Sequence, residues 1–387
     1  MKSLLLIHTL LLALLAGCGQ APAEVRLEGK TMGTSWSLII ASAPPGLDSE
    51  QLQRQVEGLL EHINSLMSTY RADSEISSFN RQQSTQWFEL SPENLGLLQA
   101  AAAIHRESGG AFDPTVSSLV DLWGFGPGLP LRGIPDASQI EALLRHTGME
   151  KLQIDAQRGR IRKRTAELQI DLSAIAKGYA VDKLAALLES GGISDYLVEI
   201  GGEIRTAGNN SEGRAWRIAV EQPLGGEQRL PAMILHVSAA AIATSGDYRN
   251  FFDYQGKRYS HIINPVSGWP VTHNPSSVTV VADDCLSADA WATAYTVIGR
   301  ERGLKLADAL QMAVLFLSDD SSEELIIEIF RKGARDFIRK PFDLFLLQEQ
   351  VNQLLRAKRG ARELRERAAS ELEYHLSAGH FCGAAGL

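Results

Sequence analysis

VTVVADDCLSADAWATAYTVIG, residues 278–299, sets the reading of this chain. Its opening is β-branched and its remainder alanine-rich, so a strand at 277–282 leads into a helix that stops at Gly299. Within 287–294, read as the helix start, Asp289 and Thr293 stand four apart. That spacing puts both oxygens on one side of the helix's first turn. A carboxylate and a hydroxyl there, close to exposed backbone N–H groups, suit a hard divalent cation carrying a phosphorylated ligand. D-x-x-x-T is also an ordinary helix start, so the surrounding segments have to carry the argument.

Outward from that stretch the pattern is mixed. Residues 25–40 read as a strand pair broken at Thr31-Met32-Gly33-Thr34. An amphipathic helix at 48–67 spaces Leu52, Val56, Leu59, Leu60, Ile63 and Leu66 along one face. Ser91 and Pro92 open a second helix that Gly109-Gly110 closes. The spacing predicts helices at 136–147 and 174–190. It predicts strands at 152–155, 167–171, 195–200, 202–207, 215–221 and 232–238. Strands and helices are intermixed without strict alternation, which is α+β order.

Four other segments carry chemistry. Gly110-Ala111-Phe112-Asp113-Pro114-Thr115 is a stiff turn able to present backbone groups to a planar ring, or simply a structural turn. Asp171-Leu172-Ser173-Ala174-Ile175-Ala176-Lys177 runs from a strand end into a helix, a place to hold phosphate or a plain cap with a solvated lysine. Glu199-Ile200-Gly201-Gly202-Glu203 lets a ligand approach backbone closely or forms a bulge, and Thr244-Ser245-Gly246-Asp247-Tyr248, a polar turn after an apolar strand, has the same two readings. His261 sits among apolar residues ahead of Pro265, Gly268 and Pro270, so a rigid loop presents an imidazole suited to general-base work or buries a core histidine. Neither a Walker pattern nor G-x-G-x-x-G is present.

The ends bound the class of protein. Lys2, the apolar run 4–15 and Leu15-Ala16-Gly17-Cys18 have the form of a lipoprotein signal peptide. Cleavage leaves Cys18 as a lipidated first residue, with 18–24 as tether. That predicts an exported bacterial lipoprotein on the periplasmic face of the cell membrane. Of the 3 cysteines, Cys285 and Cys382 remain, too few for a disulfide framework or thiolate metal site. Cys285 is expected to fill a small core space. The net charge of −8 gives no argument for nucleic acid.

Taken together and in order, these segments resemble the ApbE family of FAD:protein FMN transferases. The matching stretches are KTMGTSWS (30–37), MSTYRADSEISSFN (67–80), GGAFDPTVSSLVDLWGFGP (109–127), DLSAIAKGYAVDKLA (171–185), EIGGEIRTAG (199–208), ATSGDYRNFF (243–252), HIINPVSGWPV (261–271) and residues 278–299. The resemblance spans about 25–317 and implies a tunnelling-fold-like α+β core. It implies transfer of the FMN half of FAD, with Mg²⁺, onto a Thr or Ser hydroxyl of a target protein, releasing AMP. The implied targets are subunits of membrane redox pumps of the Nqr and Rnf type. Asp289, Thr293 and the Ala174 carbonyl are the implied metal ligands. Met32, Tyr70, Ala111, Phe112, Asp113, Asp171, Lys177 and Ile263 match FAD-contacting positions. Some relatives carry Glu where Lys177 stands; a lysine favours the diphosphate but competes with the metal. His261 is the expected general base. The same metal site would serve an FAD pyrophosphatase, and a non-catalytic FAD-binding lipoprotein is the third reading.

Beyond 317 the pattern changes. Residues 314–357 resemble the last third of a response-regulator receiver domain, with Ser318 and Lys340-Pro341 at its switch positions. No acidic pocket or phosphoacceptor strand precedes them, so no phosphorelay function is expected. Residues 318–387 are expected to be an atypical helical tail, its basic stretch 356–367 a solvated face.

Overall fold

The structure is a computed structural model that describes residues 24–127, 133–222, 231–246, 250–272 and 277–317, with the backbone of two strands beyond. β1 (Val25–Thr31) and β2 (Thr34–Ile40) form an antiparallel hairpin. Its turn residues, Met32 and Gly33, both have positive φ, 49° and 73°. This turn matches the strand twist, and Met32 bears about 1–2 kcal/mol of left-handed strain for it. α1 (Ser49–Met67) buries Leu52, Val56, Leu60, Ile63 and Met67 in one stripe. α2 (Glu75–Arg81), β3 (Phe88–Glu89) and α3 (Pro92–Glu107) follow, the last capped by Ser91 with Pro92 at its first position. Next come α4 (Ser117–Leu122), α5 (Ala137–Leu144), β4 (Leu152–Asp155), β5 (Arg160–Lys163) and α6 (Ser173–Ser190).

The second half is richer in strands. β6 (Tyr196–Ile200), β7 (Glu203–Ala207), β8 (Trp216–Glu221), β9 (Pro231–Val237), β10 (Ala240–Gly246), β11 (Phe251–Tyr254), β12 (Lys257–Ser260) and β13 (Ser277–Ala282) precede α7 (Cys285–Ile298), α8 (Arg300–Leu310) and β14 (Ala313–Leu317). β15 (Ile327–Arg331) and β16 (Ala334–Ile338) extend the edge beyond β14. The main sheet runs β1-β2-β6-β7-β10-β13-β14-β15-β16 and is antiparallel throughout.

Both faces of that sheet are covered. Trp36, Leu38, Ala243, Val278, Val280 and Phe316 face the helical core with α1, α3, α6 and α7. Ile242, Val281, Leu315 and Leu317 face the β8–β9 hairpin with Trp216, Ile218 and Leu235. Double coverage explains why β13 is buried at every position. Each large apolar side chain so buried contributes roughly 1.5–3 kcal/mol. α7 lies in the core with alanine at 288, 290, 292 and 294, so neighbours approach its backbone closely, and Cys285 is fully buried as expected. Among the described residues no helix is long and apolar enough to cross a membrane.

Three expectations differ from the structure. Residues 167–171 are not a strand, because the Asn80 side chain takes the place of a ladder partner. Its amide donates to the Ile170 carbonyl and its oxygen accepts the Ile170 N–H, each at 2.8 Å. Thr244, Ser245 and Gly246 belong to β10 rather than to a turn, held in register opposite Thr279, Val278 and Ser277. Within the stretch expected to be a helical tail, 327–331 and 334–338 instead pair as a hairpin on the open edge of β14. Cys18, Asp247, Tyr248, Ser318, Lys340, Pro341 and Cys382 lie outside the described residues.

Candidate active site

α6 and α7 cross at Gly178. A side chain there would overlap the Cys285 carbonyl oxygen and come within 2.8 Å of Asp289 Cβ. At that spacing the Gly178 N–H donates to Asp289 Oδ2 at 3.0 Å. Asp182, one turn along α6, caps α7 from outside by accepting the Cys285 and Leu286 N–H groups at 3.0 and 2.9 Å. Arg205 pairs with that same carboxylate at 2.6 Å. Asp284 accepts the Ser287 N–H at 2.7 Å. The helix therefore starts at Cys285, and Asp289 and Thr293 stand in its second and third turns rather than its first. The first N–H groups of α7 already have carboxylate partners, so they do not form the phosphate cradle expected there.

Asp289 is buried, with 5% of its surface exposed. Lys177 Nζ lies 3.6 Å from Asp289 Oδ1 and 3.0 Å from Glu203 Oε1. Burial acts to lower the Lys177 pKa, but the Asp289 and Glu203 carboxylates outweigh it and keep the ammonium above the usual lysine range. Burial pushes the Glu203 carboxyl above the usual carboxylate range, while the Lys177 ammonium at 3.0 Å pulls it back down. Glu203 Oε2 is buried with no hydrogen-bond partner.

These residues fit Mg²⁺. Two buried carboxylates share one ammonium, which leaves room for added positive charge. Ala174, the second residue of α6, and Thr293 line the same cavity as Asp289. Among the described residues no group of three or more His, Cys, Asp or Glu forms a metal site. The oxygen set here holds one carboxylate, one hydroxyl and one carbonyl, and Mg²⁺ ordinarily completes such a set with phosphate oxygens and water.

The cavity has a volume of about 1080 Å³ and is lined by every site residue that the sequence analysis named within the described chain. Met32 enters it from the strained hairpin tip. Tyr70 is 65% exposed at the rim and its hydroxyl donates to the Phe125 carbonyl at 3.2 Å. Ala111, Phe112 and Asp113 line it as one turn. Asp113 Oδ1 accepts the Thr115 N–H and hydroxyl at 2.8 and 2.6 Å, and Oδ2 accepts the Met149 N–H at 3.3 Å. The Asp113 side chain thus pins the turn, and burial raises its pKa despite those bonds. Asp171 anchors the start of α6 by accepting the Ser173 N–H at 2.9 Å. Ile263 is 5% exposed and packs with Leu119, Trp123, Ile140 and Tyr259.

His261 is half-buried, and its Nδ1 donates to the Asn250 carbonyl at 3.0 Å. That bond fixes the tautomer and leaves Nε2 as the acceptor. Burial lowers its pKa, the Asn250 bond opposes this, and the Lys177 charge lowers it further. The Phe125 ring lies edge-on at 6.3 Å between centroids. A neutral imidazole with a free acceptor nitrogen is equipped to take a proton near neutral pH.

The ApbE family model matches residues 32–316. This chain belongs to the ApbE family. A curated ApbE-family relative from Vibrio cholerae serotype O1, named FAD:protein FMN transferase, is 44% identical over 322 residues, covering 83% of this chain and 96% of that protein. A relative of the same name from Escherichia coli K12 is 38% identical over 317 residues, covering 79% and 89%. The solved flavin transferase ApbE of Vibrio cholerae superposes with a TM-score of 0.74 at 41% identity, covering 83% of this chain and 99% of that one.

The ApbE-like stretches contain three residues whose part in the site the sequence reading missed. Glu203 holds Lys177, Phe125 borders both Tyr70 and His261, and the Asn250 carbonyl orients the imidazole. All three stand in matched stretches, but their roles arise from contacts across 26, 55 and 11 residues that no local spacing records.

Proposed function

We propose that this chain uses Mg²⁺ to move the FMN half of FAD onto a Thr or Ser hydroxyl of a protein acceptor. It is an enzyme of flavin transfer, as its family membership and the names of its relatives at 38–44% identity support. The observation that carries the finer reading is the convergence of His261 and Asp289 on one cavity, from a loop and a helix in different parts of the fold.

The chemistry follows from their placement. His261 Nε2 takes the proton of the incoming hydroxyl. The hydroxyl oxygen forms a bond to the FMN phosphorus as the bond to the AMP phosphate oxygen breaks, so a phosphodiester forms and AMP leaves. Ala174, Asp289 and Thr293 would hold Mg²⁺. Bound there, the ion would supply neutralisation of the charge gathering on the AMP side. Lys177 adds a fixed positive charge beside the diphosphate. Met32 and Tyr70, which line the cavity, would pack on the ring systems, and the Ala111–Asp113 turn would offer backbone to a planar edge.

Asp289→Ala should retain FAD and lose transfer; unchanged turnover would remove the metal assignment. AMP and FMN accumulating without an acceptor would mark a pyrophosphatase, and FAD binding without either product a pure flavin binder. The acceptor class proposed is a membrane redox subunit of the Nqr or Rnf type, reached from the periplasmic face by a lipid on Cys18. Metabolic labelling with an alkyne fatty acid should mark the chain and fail in Cys18→Ser; equal labelling of both would exclude that anchor.

A further inference from the structure

We infer that Glu203 is the positioning residue of the cation site: it holds the Lys177 ammonium so that Asp289 remains open to the metal. The inference rests on the reading of Asp289 as a cation ligand. Lys177 reaches two carboxylates, and its closer contact, 3.0 against 3.6 Å, is to Glu203. Asp289 Oδ2 already accepts the Gly178 N–H, so Oδ1 is the oxygen that a cation and Lys177 would contest. Without the Glu203 charge, Asp289 is the anionic partner left to this ammonium, and a full ion pair there would occupy the metal ligand.

Glu203 is built to stay in place. It is the first residue of β7, directly after the Gly201-Gly202 turn that joins β6 to β7 in register Ile200 to Glu203. Both glycines have positive φ, 63° and 105°, which fixes a tight hairpin. The Gly202 N–H donates to Glu199 at 2.7 Å, which locks the turn from its other side. A side chain at Gly201 would press on Thr34 at 2.9 Å and reach 3.4 Å from Glu203 Oε2. The missing Cβ leaves space for that carboxylate, whose Oε2 is buried and unpartnered. A second oxygen desolvated without a bond is costly, and such a cost is expected where a charge serves a site.

The test uses the full chain with FAD bound and Mn²⁺ as probe, read by electron paramagnetic resonance, with flavin fluorescence as the control for folding. The unaltered chain should bind Mn²⁺; failure to do so, or unchanged binding in Asp289→Ala, would overturn the ligand reading itself. Glu203→Gln should weaken Mn²⁺ by about 10- to 100-fold, the range for loss of a residue that orients a metal ligand. Lys177→Met should restore binding in the Glu203→Gln background to that of Lys177→Met alone. Unchanged affinity in Glu203→Gln, or the same loss with and without Lys177, would overturn the inference. Should Glu203→Gln alone not fold, Lys177→Met against Lys177→Met with Glu203→Gln still decides: equal affinities support it and a difference overturns it.

Discussion

The cavity wall built by α6, α7 and β7 is ionic and held by backbone contacts. The wall that carries His261 is aromatic and held by ring packing. On the first, Gly178 brings two helices close enough for an N–H to bind Asp289, and Asp182 caps α7 from α6. On the second, ring contacts run from Trp269 through Trp123, Tyr259, Phe252 and Phe125 to His261 at centroid spacings of 5.1 to 6.3 Å, stacked in the middle and tilted or edge-on at the two ends. Trp123 fixes the ladder by donating to the Gly268 carbonyl at 2.8 Å. Direct hydrogen bonds tolerate displacements of only a few tenths of an ångström, whereas ring contacts adjust with smaller losses. The ionic wall should therefore break sharply and the aromatic wall gradually.

The largest effect should come from Asp289→Ala, with transfer falling about 10⁴-fold while FAD binding persists, the several kcal/mol that a bound cation contributes. Single-turnover transfer at saturating FAD measures it, and a loss below tenfold would place the cation elsewhere. His261→Ala should cost about 10³-fold in the same assay, within the range for a positioned base. Its pH profile sharpens the contrast. The base form of His261 exists above its pKa, and burial holds that pKa below the usual histidine range, so transfer should stay level through neutrality and decline only under acid. An acid limb centred above pH 7 would contradict the assignment. Gly178→Ala should destabilise the fold by about 3 kcal/mol, because α6 and α7 must separate to admit a methyl group. Thermal unfolding would show this, and an unshifted midpoint would mean that the crossing is loose. Phe125→Leu should lower transfer only about fivefold, since one ring contact is worth about 1 kcal/mol; a 100-fold loss would make the aromatic wall as rigid as the ionic one.

The two walls also differed in how plainly the sequence showed them. The strand and helix of 277–299 were legible because β-branched residues and then alanines fill them. The helix start was misplaced by two residues, since Asp284 and Ser287 are both competent caps and the choice is made by Asp182 on another helix. The α+β order and the segments that meet at the cavity were readable from local pattern and family resemblance. The strand expected at 167–171 failed on a side-chain contact from Asn80, 90 residues away. The β11–β12 hairpin of the aromatic wall went unread although its turn signal, Gln255-Gly256 between aromatic runs, was present. Glu203 was unreadable as a site residue, because its pairing with Lys177 depends on how β7 lies against α6.

The most direct test of the account is the intact mass of a flavin-acceptor subunit of the Nqr or Rnf type after incubation with this chain, FAD and Mg²⁺. The account predicts a gain of one FMN per acceptor that disappears when Mg²⁺ is chelated or Asp289 is replaced. An acceptor that stays unmodified while FAD is bound, or gains FMN equally well without Mg²⁺, would contradict it.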